Sequence, residues 1–286
     1  MKIIFFGTPS FVVPILENLT KHFDVIAVVT APDRKSGRKQ LLTPSPVKVF
    51  AEQHNIQVLQ PENNEEMISQ LSSLNAQLNV VAAYGKIMPD TVVSAPEYGS
   101  INIHPSLLPK YRGASPIQTT ILNGDTQSGI TYIKMDDKMD HGPILQTIPY
   151  EITPTDTTDF LLQAMFKQSA IILPSIIERY VSGEIKPEAQ DDAQASYCKQ
   201  FSKQDGYIDL LNPPDAKTCE RMIRAFYPWP TAWTTVRIPG KDQATSKILK
   251  FLPERKVQIE GKQPVTLDEF KRGYPTIAEH IATLFK

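Results

Sequence analysis

Lys2-Ile3-Ile4-Phe5-Phe6-Gly7-Thr8-Pro9 decides how the rest of this 286-residue chain is read. An apolar run stops at Gly7, Thr8 is a helix N-cap residue, and Pro9 suits the first helical position, so the stretch predicts a strand followed by a helix. The alternation recurs downstream. Residues 25–29 are β-branched and apolar, 47–54 read as a helix, 57–59 as a short strand and 65–74 as a helix. Residues 78–83 are mostly apolar, as a strand covered on both faces requires. A strand at 100–104 and a helix at 116–122, between Ser115 as cap and Gly124 as stop, complete a pattern that predicts an open α/β fold with a mostly parallel sheet.

After Gly129 the pattern changes. Apolar runs at 130–135 and 144–148 flank a polar turn at 136–142, which predicts a β-hairpin. A long helix is expected over 157–181, kinked at Pro174. Residues 182–200 are polar and turn-rich enough to read as a linker. Beyond them lie a short helix at 216–225 and several short β-rich runs, with 248–252 the one evident strand between Trp233 and Val257. Residues 1–200 carry 16 basic and 21 acidic side chains, a net −5, whereas 201–286 carry 14 and 10, a net +4. The expected domains are therefore 1–181 and a smaller, basic 201–286, joined by 182–200.

Several chemistries are excluded. A net charge of −1 argues against a polycation that coats nucleic acid over its whole surface. Cys198 and Cys219 are too few for a disulfide framework or a four-thiolate zinc site, which fits a reducing compartment. The opening run breaks at Gly7 before a signal h-region forms, and no apolar run approaches about eighteen residues, so a cytoplasmic protein without membrane association is expected. No two of the 13 glycines are separated by a single residue, which removes the G-x-G dinucleotide fingerprint. Gly124 and Gly129 have the Walker spacing, but Ile130 stands where the phosphate-binding Lys is required. Neither a G-x-S-x-G elbow nor an H-E-x-x-H zinc motif occurs.

In Ser100-Ile101-Asn102-Ile103-His104-Pro105, the period of two along a strand puts Asn102 and His104 on one side. They meet near the carboxyl end of a strand, where open α/β sheets bind ligands. The 136–142 turn is placed to bring Asp140 to the same edge. An amide, an imidazole and a carboxylate suit acyl transfer: two donors for an oxyanion and one proton acceptor. Taken alone, an Asn-x-His at a strand end is more often a structural pair.

The next residues change that weighting. Ser106-Leu107-Leu108-Pro109-Lys110-Tyr111-Arg112-Gly113-Ala114-Ser115-Pro116-Ile117-Gln118 resembles the signature of the 10-formyltetrahydrofolate-dependent formyltransferases, and with the upstream Asn-x-His it spans 17 residues. Phe6-Gly7-Thr8-Pro9, Pro32-Asp33-Arg34 with Gly37-Arg38, Ser45-Pro46-Val47-Lys48, Tyr84-Gly85, and Ile223-Arg224-Ala225-Phe226 with Pro228-Trp229-Pro230 resemble the branch of that family acting on methionyl initiator tRNA. The resemblance implies a Rossmann-like catalytic domain followed by an OB-like β-barrel. It implies Asn102, His104 and Asp140 as the catalytic residues, 10-formyltetrahydrofolate as formyl donor, and no metal. Tyr84, Gly85, Lys86, Ile87, Met88 and Pro89 would line the folate pocket with Asp136 and Asp137. Ser106, Leu107, Leu108 and Pro109 would lie beside it. The sequence departs from the family pattern at Lys138, usually Gly, at His141, usually Thr, and at Leu210, often Trp. Its last domain is short, so a reduced OB-like barrel is expected.

Arg34-Lys35-Ser36-Gly37-Arg38-Lys39-Gln40 begins a stretch without an acid through Lys48. A solvated loop is the bland reading, but a connection of about 15 residues is long for such a unit, and long loops are disproportionately functional. The resemblance implies that this loop reaches the tRNA acceptor end with Arg38 among its contacts, and the cationic run makes Arg34, Lys35 and Lys39 further candidate contacts. Arg224 is either an interface ion or a phosphate contact. The expected reaction is attack of the α-amine of methionyl initiator tRNA on the formyl carbonyl. Asn102 and a protonated His104 would donate to the oxygen, and Asp140 would help remove the amine proton. N-formylation of a nucleotide-linked aminosugar would use the same three residues. Hydrolysis of formyl-folate to formate, and RNA binding by a chain that has lost catalysis, would each account for part of the pattern. The cationic loop and the basic final domain favour tRNA, and a monomer is expected.

Overall fold

The computed structural model describes residues 1–36, 41–238 and 245–285. Its first strands are β1 (Lys2–Gly7), β2 (Asp24–Val29), β3 (Arg34–Ser36), β4 (Leu41–Thr43), β5 (Gln57–Leu59) and β6 (Leu78–Ala82). Then come β7 (Ser100–His104), β8 (Arg112–Gly113), β9 (Gln127–Lys134), β10 (Ile144–Glu151) and β11 (Tyr197–Cys198). The helices between them are α1 (Val13–His22), α2 (Pro46–Gln53), α3 (Asn64–Leu71), α4 (Asp90–Val93), α5 (Pro116–Asn123) and α6 (Thr158–Val181).

One compact unit comprises Met1–Ala114, Gln127–Glu151 and Leu162–Cys198. Its sheet has seven strands in the order β10-β9-β7-β6-β1-β2-β5. β5, β2, β1, β6 and β7 are parallel, and the β9–β10 hairpin adds two antiparallel strands at one edge. The expected mostly parallel sheet and the hairpin are both present. Apolar side chains on both faces explain the continuous burial of β6. The strand order reverses between β1 and β6, so the carboxyl ends of these two strands, next to β7, form a topological switch point, the usual place for a ligand crevice.

Thr8 does not cap a helix. Its hydroxyl accepts the Ala31 N–H and donates to the Tyr84 carbonyl, both at 3.3 Å, tying the segments that follow β1, β2 and β6. The chain instead makes a 3-10 turn at Ser10–Val12 before α1 begins. Pro174 lies inside a helix that continues through it. Proline cannot donate to the carbonyl four residues earlier, and that carbonyl, of Ala170, accepts from Asn18 Nδ2 instead. By length and apolarity α6 would suit a membrane span, yet Met165, Phe166, Leu173, Ile176 and Ile177 are buried within the protein.

Of the stretch 182–200 expected as a linker, residues 182–198 are folded into this unit. Ile144 and Glu188 form an antiparallel bridge, and β11 pairs in parallel with β8, Tyr197 opposite Arg112 and Cys198 opposite Gly113. Polar composition marks the stretch as loop, but its backbone groups find partners in the sheet unit.

A second unit comprises Ser115–Thr126, Ile152–Leu161 and Lys199–Lys286. It contains α5, α7 (Ala216–Ala225), α8 (Leu267–Gly273) and α9 (Pro275–Ile281). Four antiparallel strands follow one another in sheet order: β12 (Ala232–Ile238), β13 (Thr245–Leu252), β14 (Lys256–Ile259) and β15 (Val265–Thr266). Cys219, Ile223, Leu249, Phe251, Phe270 and Ile281 form its core. The sheet is thus more developed than the single evident strand at 248–252 suggests.

Candidate active site

Asn102 and His104 alternate with the buried Ile101 and Ile103 on β7, so both project from the same face of the sheet. Lys134, the last residue of β9, pairs with Ile101 near the start of β7. The 136–142 turn therefore leaves the ladder beside Ile101 and has to fold back to reach His104. It does so with Asp140 at φ 50°, a left-handed conformation that costs a non-glycine residue on the order of 1–3 kcal/mol.

The three residues expected to act together are together. Asp140 Oδ1 accepts from Asn102 Nδ2 at 3.1 Å and lies 3.5 Å from His104 Nδ1. Its other oxygen accepts the Gly113 N–H at 2.9 Å. His104 Nε2 is 2.9 Å from the Tyr111 carbonyl, which can only accept, so this nitrogen carries a proton and Nδ1 is the ring atom that faces the carboxylate. His104 is 4% exposed. A largely dry environment strengthens its interaction with Asp140 relative to water.

Further supports surround the turn. Gln190 Nε2 donates to the carbonyls of Asp140 and Gly142 at 2.9 and 2.8 Å. Arg112, 1% exposed, donates to Gln190 Oε1 from Nε and Nη2 at 3.1 and 2.8 Å, and to Asp192 at 2.8 Å. Burial disfavours the Arg112 cation, but hydrogen bonds to Asp192 and Tyr197 outweigh that and hold the guanidinium above its ordinary range. The same bond from Arg112 holds the Asp192 carboxyl below the usual carboxylate range. His141 Nδ1 sits 2.6 Å from Asp136 and its Nε2 3.4 Å from Asp192, so His141 closes the turn onto its first residues and ties it to the segment at Asp192. Gly113 is required by geometry as well as by φ 118°: a Cβ there would lie 2.4 Å from the Cys198 carbonyl.

The residues expected around a folate divide into two groups. Tyr84 and Met88 are buried in a core cluster with Phe6, Val29 and Val92, against which Met135 also packs. Lys86 is anchored by its ammonium on the Pro61 and Glu62 carbonyls, and Ser106 is buried with its hydroxyl donating to the Lys110 carbonyl. Leu108 is buried, its N–H on the Thr131 hydroxyl, with Leu107 and Pro109 half-buried around it. Gly85, Ile87, Asp137 and Met139 are exposed, and Pro89 and Asp136 are half-buried. Burial pushes the Tyr84 hydroxyl up to about 12. That hydroxyl has no hydrogen-bond partner among the described residues.

Arg34 and Lys35 are exposed on β3, whereas Arg38 and Lys39 lie outside the described residues. The base of this loop is pinned by Lys48, which donates to Asp33 at 2.7 Å and Gln60 at 3.0 Å. Hydrogen bonds from Lys48 and then Gln60 hold the Asp33 carboxyl below its usual range. Arg224 does not present a free cation: its guanidinium pairs with Glu220 and donates to the Asp156 carbonyl at 3.0 Å, with 13% of the side chain exposed. Neighbours at the helix surface satisfy a charge whose role the sequence leaves open.

Residues 1–177 match the formyl transferase family. A methionyl-tRNA formyltransferase from Chloroflexus aurantiacus is 44% identical over 237 residues, 82% of this chain and 76% of that protein. The chain belongs to the methionyl-tRNA formyltransferase family. A second methionyl-tRNA formyltransferase, from Citrifermentans bemidjiense, is 37% identical over 300 residues, covering 96% of this chain and 94% of its own. The crystal structure of a 4-N formyltransferase from Francisella tularensis superposes with a TM-score of 0.66 at 17% identity, covering 88% of this chain and 98% of that one, which is a likeness of fold. Within this formyltransferase, sequence reasoning misses Gln190 and the supporting role of Arg112. Gln190 lies beyond residue 177, in a stretch whose composition reads as loop, and no local pattern announces it.

Proposed function

We infer that the chain transfers the formyl group of 10-formyltetrahydrofolate to the α-amine of methionyl initiator tRNA, the step that prepares the initiator for translation. The observation that carries this is the convergence of Asn102, His104 and Asp140 on one sheet face in a chain with 44% identity to a methionyl-tRNA formyltransferase. The folate supplies the formyl carbon. Asn102 has a second N–H besides the one on Asp140, which can donate to an oxygen on which charge develops; with Nε2 already carrying a proton, His104 can donate from Nδ1 only as the imidazolium, sharing that N–H between the oxygen and Asp140. Asp140 balances a positive charge on the ring and is the nearby acceptor for a proton leaving the amine, directly or through water.

A folate fits the residues present. Ile87 and Met139 are exposed apolar side chains on the two segments that would hold it, and Tyr84 offers a buried, unpartnered hydroxyl to a polar edge. Arg34, Lys35, Arg38 and Lys39 are proposed to meet the tRNA acceptor end as point charges on phosphates. Arg224, whose guanidinium is already taken by Glu220 and the Asp156 carbonyl, would shape its own surface rather than contact the tRNA directly. Residues 1–181 are proposed as the catalytic domain and 201–286 as a reduced OB-like domain, with β12 to β15 as what remains of its barrel. A cytoplasmic monomer that requires no metal completes the reading.

The test is incubation with 10-formyltetrahydrofolate and charged initiator tRNA, with mass detection of formyl-methionine. A parallel arm offers a nucleotide-linked aminosugar. Turnover of the tRNA should fall steeply with salt, because phosphate contacts release counterions. Formylation of the sugar alone, with little salt dependence, would replace this reading.

A further inference from the structure

Asp140 is held in a left-handed conformation, and neither of its restraints is local. Its carboxylate is fixed by Asn102 Nδ2 and the Gly113 N–H. Its backbone is fixed by Gln190, fifty residues on, whose amide bridges the Asp140 and Gly142 carbonyls. The Gln190 amide is fully used: two N–H groups on two carbonyls, and Oε1 receiving both Nε and Nη2 of Arg112. A guanidinium donates and never accepts, so it fixes which way the amide faces and aims the N–H groups at the turn. Arg112 is itself held, with its main-chain N–H on the Ser196 carbonyl and its guanidinium on Asp192. The residue after it, Gly113, binds the Asp140 carboxylate.

We propose that Gln190, oriented by the buried Arg112, is a positioning residue for formyl transfer: it clamps the backbone of the 140–142 turn so that the Asp140 carboxylate stays between Asn102 and His104. The inference rests on the formyl-transfer reading given above. Gln190 touches no reacting atom in this arrangement, and its effect is exerted through Asp140. Small misplacements of a reacting group cost rate disproportionately, about a hundredfold for 1 Å. The restraint should therefore show itself in turnover rather than in substrate binding.

Gln190→Glu separates this role from simple packing. It keeps the size of the side chain and the acceptors for Arg112, but sets a carboxylate against two carbonyl oxygens. Gln190→Met keeps the length and removes both donors and acceptors. Gln190 is half-buried and outside the apolar core, so both variants are checked for folding by thermal melting. The expected result is a kcat lower by about ten- to a hundredfold in each, with KM for charged tRNA and for 10-formyltetrahydrofolate changed by no more than about twofold. Wild-type kcat in folded Gln190→Glu, or a loss confined to melting temperature, overturns the positioning role. Should Gln190→Glu not fold, wild-type kcat in Gln190→Met overturns it equally. A wild-type protein inactive on charged tRNA defeats the formyl-transfer reading instead, so the two failures are told apart.

Discussion

Replacing Asp140 by Asn keeps the shape of the side chain and removes one acceptor. In the native arrangement Oδ1 receives Asn102 Nδ2 at 3.1 Å and Oδ2 receives the Gly113 N–H at 2.9 Å. Asparagine has one carbonyl oxygen, so whichever way the amide turns, its NH2 faces a donor. One hydrogen bond to a charged acceptor is lost, worth about 1.5–3 kcal/mol. If the same contact aligns the carboxylate in the transition state, kcat falls by about 10- to 150-fold. Removing the negative charge beside His104 Nδ1, 3.5 Å away, adds to that loss. Single-turnover formylation of charged tRNA, quenched and read by mass, isolates the chemical step from product release. Urea denaturation runs beside it, because the opposed donors should also lower stability by about 1–3 kcal/mol. A folded Asp140→Asn protein with kcat within about twofold of wild type would show that the carboxylate neither aligns Asn102 nor takes part in proton transfer.

Gly113→Ala should be more harmful than its size suggests: the new Cβ would sit 2.4 Å from the Cys198 carbonyl, so β8 and β11 must part. A loss of about 1–3 kcal/mol in urea unfolding is expected, with reduced kcat as the Gly113 N–H leaves Asp140. Burial raises the Tyr84 hydroxyl from its ordinary value of 10 to about 12, so the ionised form is disfavoured in the folded protein. The stability this confers is complete below pH 10 and declines between 10 and about 12, and Tyr84→Phe should flatten that decline in urea midpoints measured at about pH 9 and about pH 11. The same variant should weaken folate binding in a fluorescence titration if the hydroxyl meets the ligand, and an unchanged Kd would remove it from the pocket. Arg38→Ala should lower kcat/KM for charged tRNA by about ten- to a hundredfold while sparing folate affinity, and equal use of tRNA by the variant would take Arg38 out of the interface.

The sheet and the face that carries Asn102 and His104 are legible in the sequence because their signals are local. Apolar runs closed by Gly7 and Gly124 mark strand and helix ends, and period two alone puts Asn102 and His104 on one side. Other elements carry signals that are easily passed over. Residues 232–238 alternate buried and exposed along β12, and Thr266 with Glu269 forms a capping box at the start of α8. What cannot be read locally is set by tertiary partners. Thr8 is a good cap residue, but its hydroxyl is taken by Ala31 and Tyr84. Arg224 is charged and helical, but Glu220 and the Asp156 carbonyl claim it. The supports of Asp140 come from Arg112, Gly113 and Gln190, brought together through a two-residue parallel pairing of β8 with β11 too short to leave a sequence pattern.

That short pairing has a consequence for synthesis of the protein on the ribosome. The seven-stranded sheet is complete in the growing chain once residue 151 is free to fold, and α6 once residue 181 is. Asp140 still lacks its clamp at that stage, because Gln190, Asp192 and Tyr197 emerge later. Local strands and helices form far faster than the chain is extended, at roughly 5–20 residues per second. The nascent chain therefore passes through an interval in which all the sheet's residues are available while the 136–142 turn lacks its Gln190 partner. A chain stalled or cleaved between residues 181 and 190 would hold every residue of the seven-stranded sheet but lack Gln190, and with it the bonds to the Asp140 and Gly142 carbonyls.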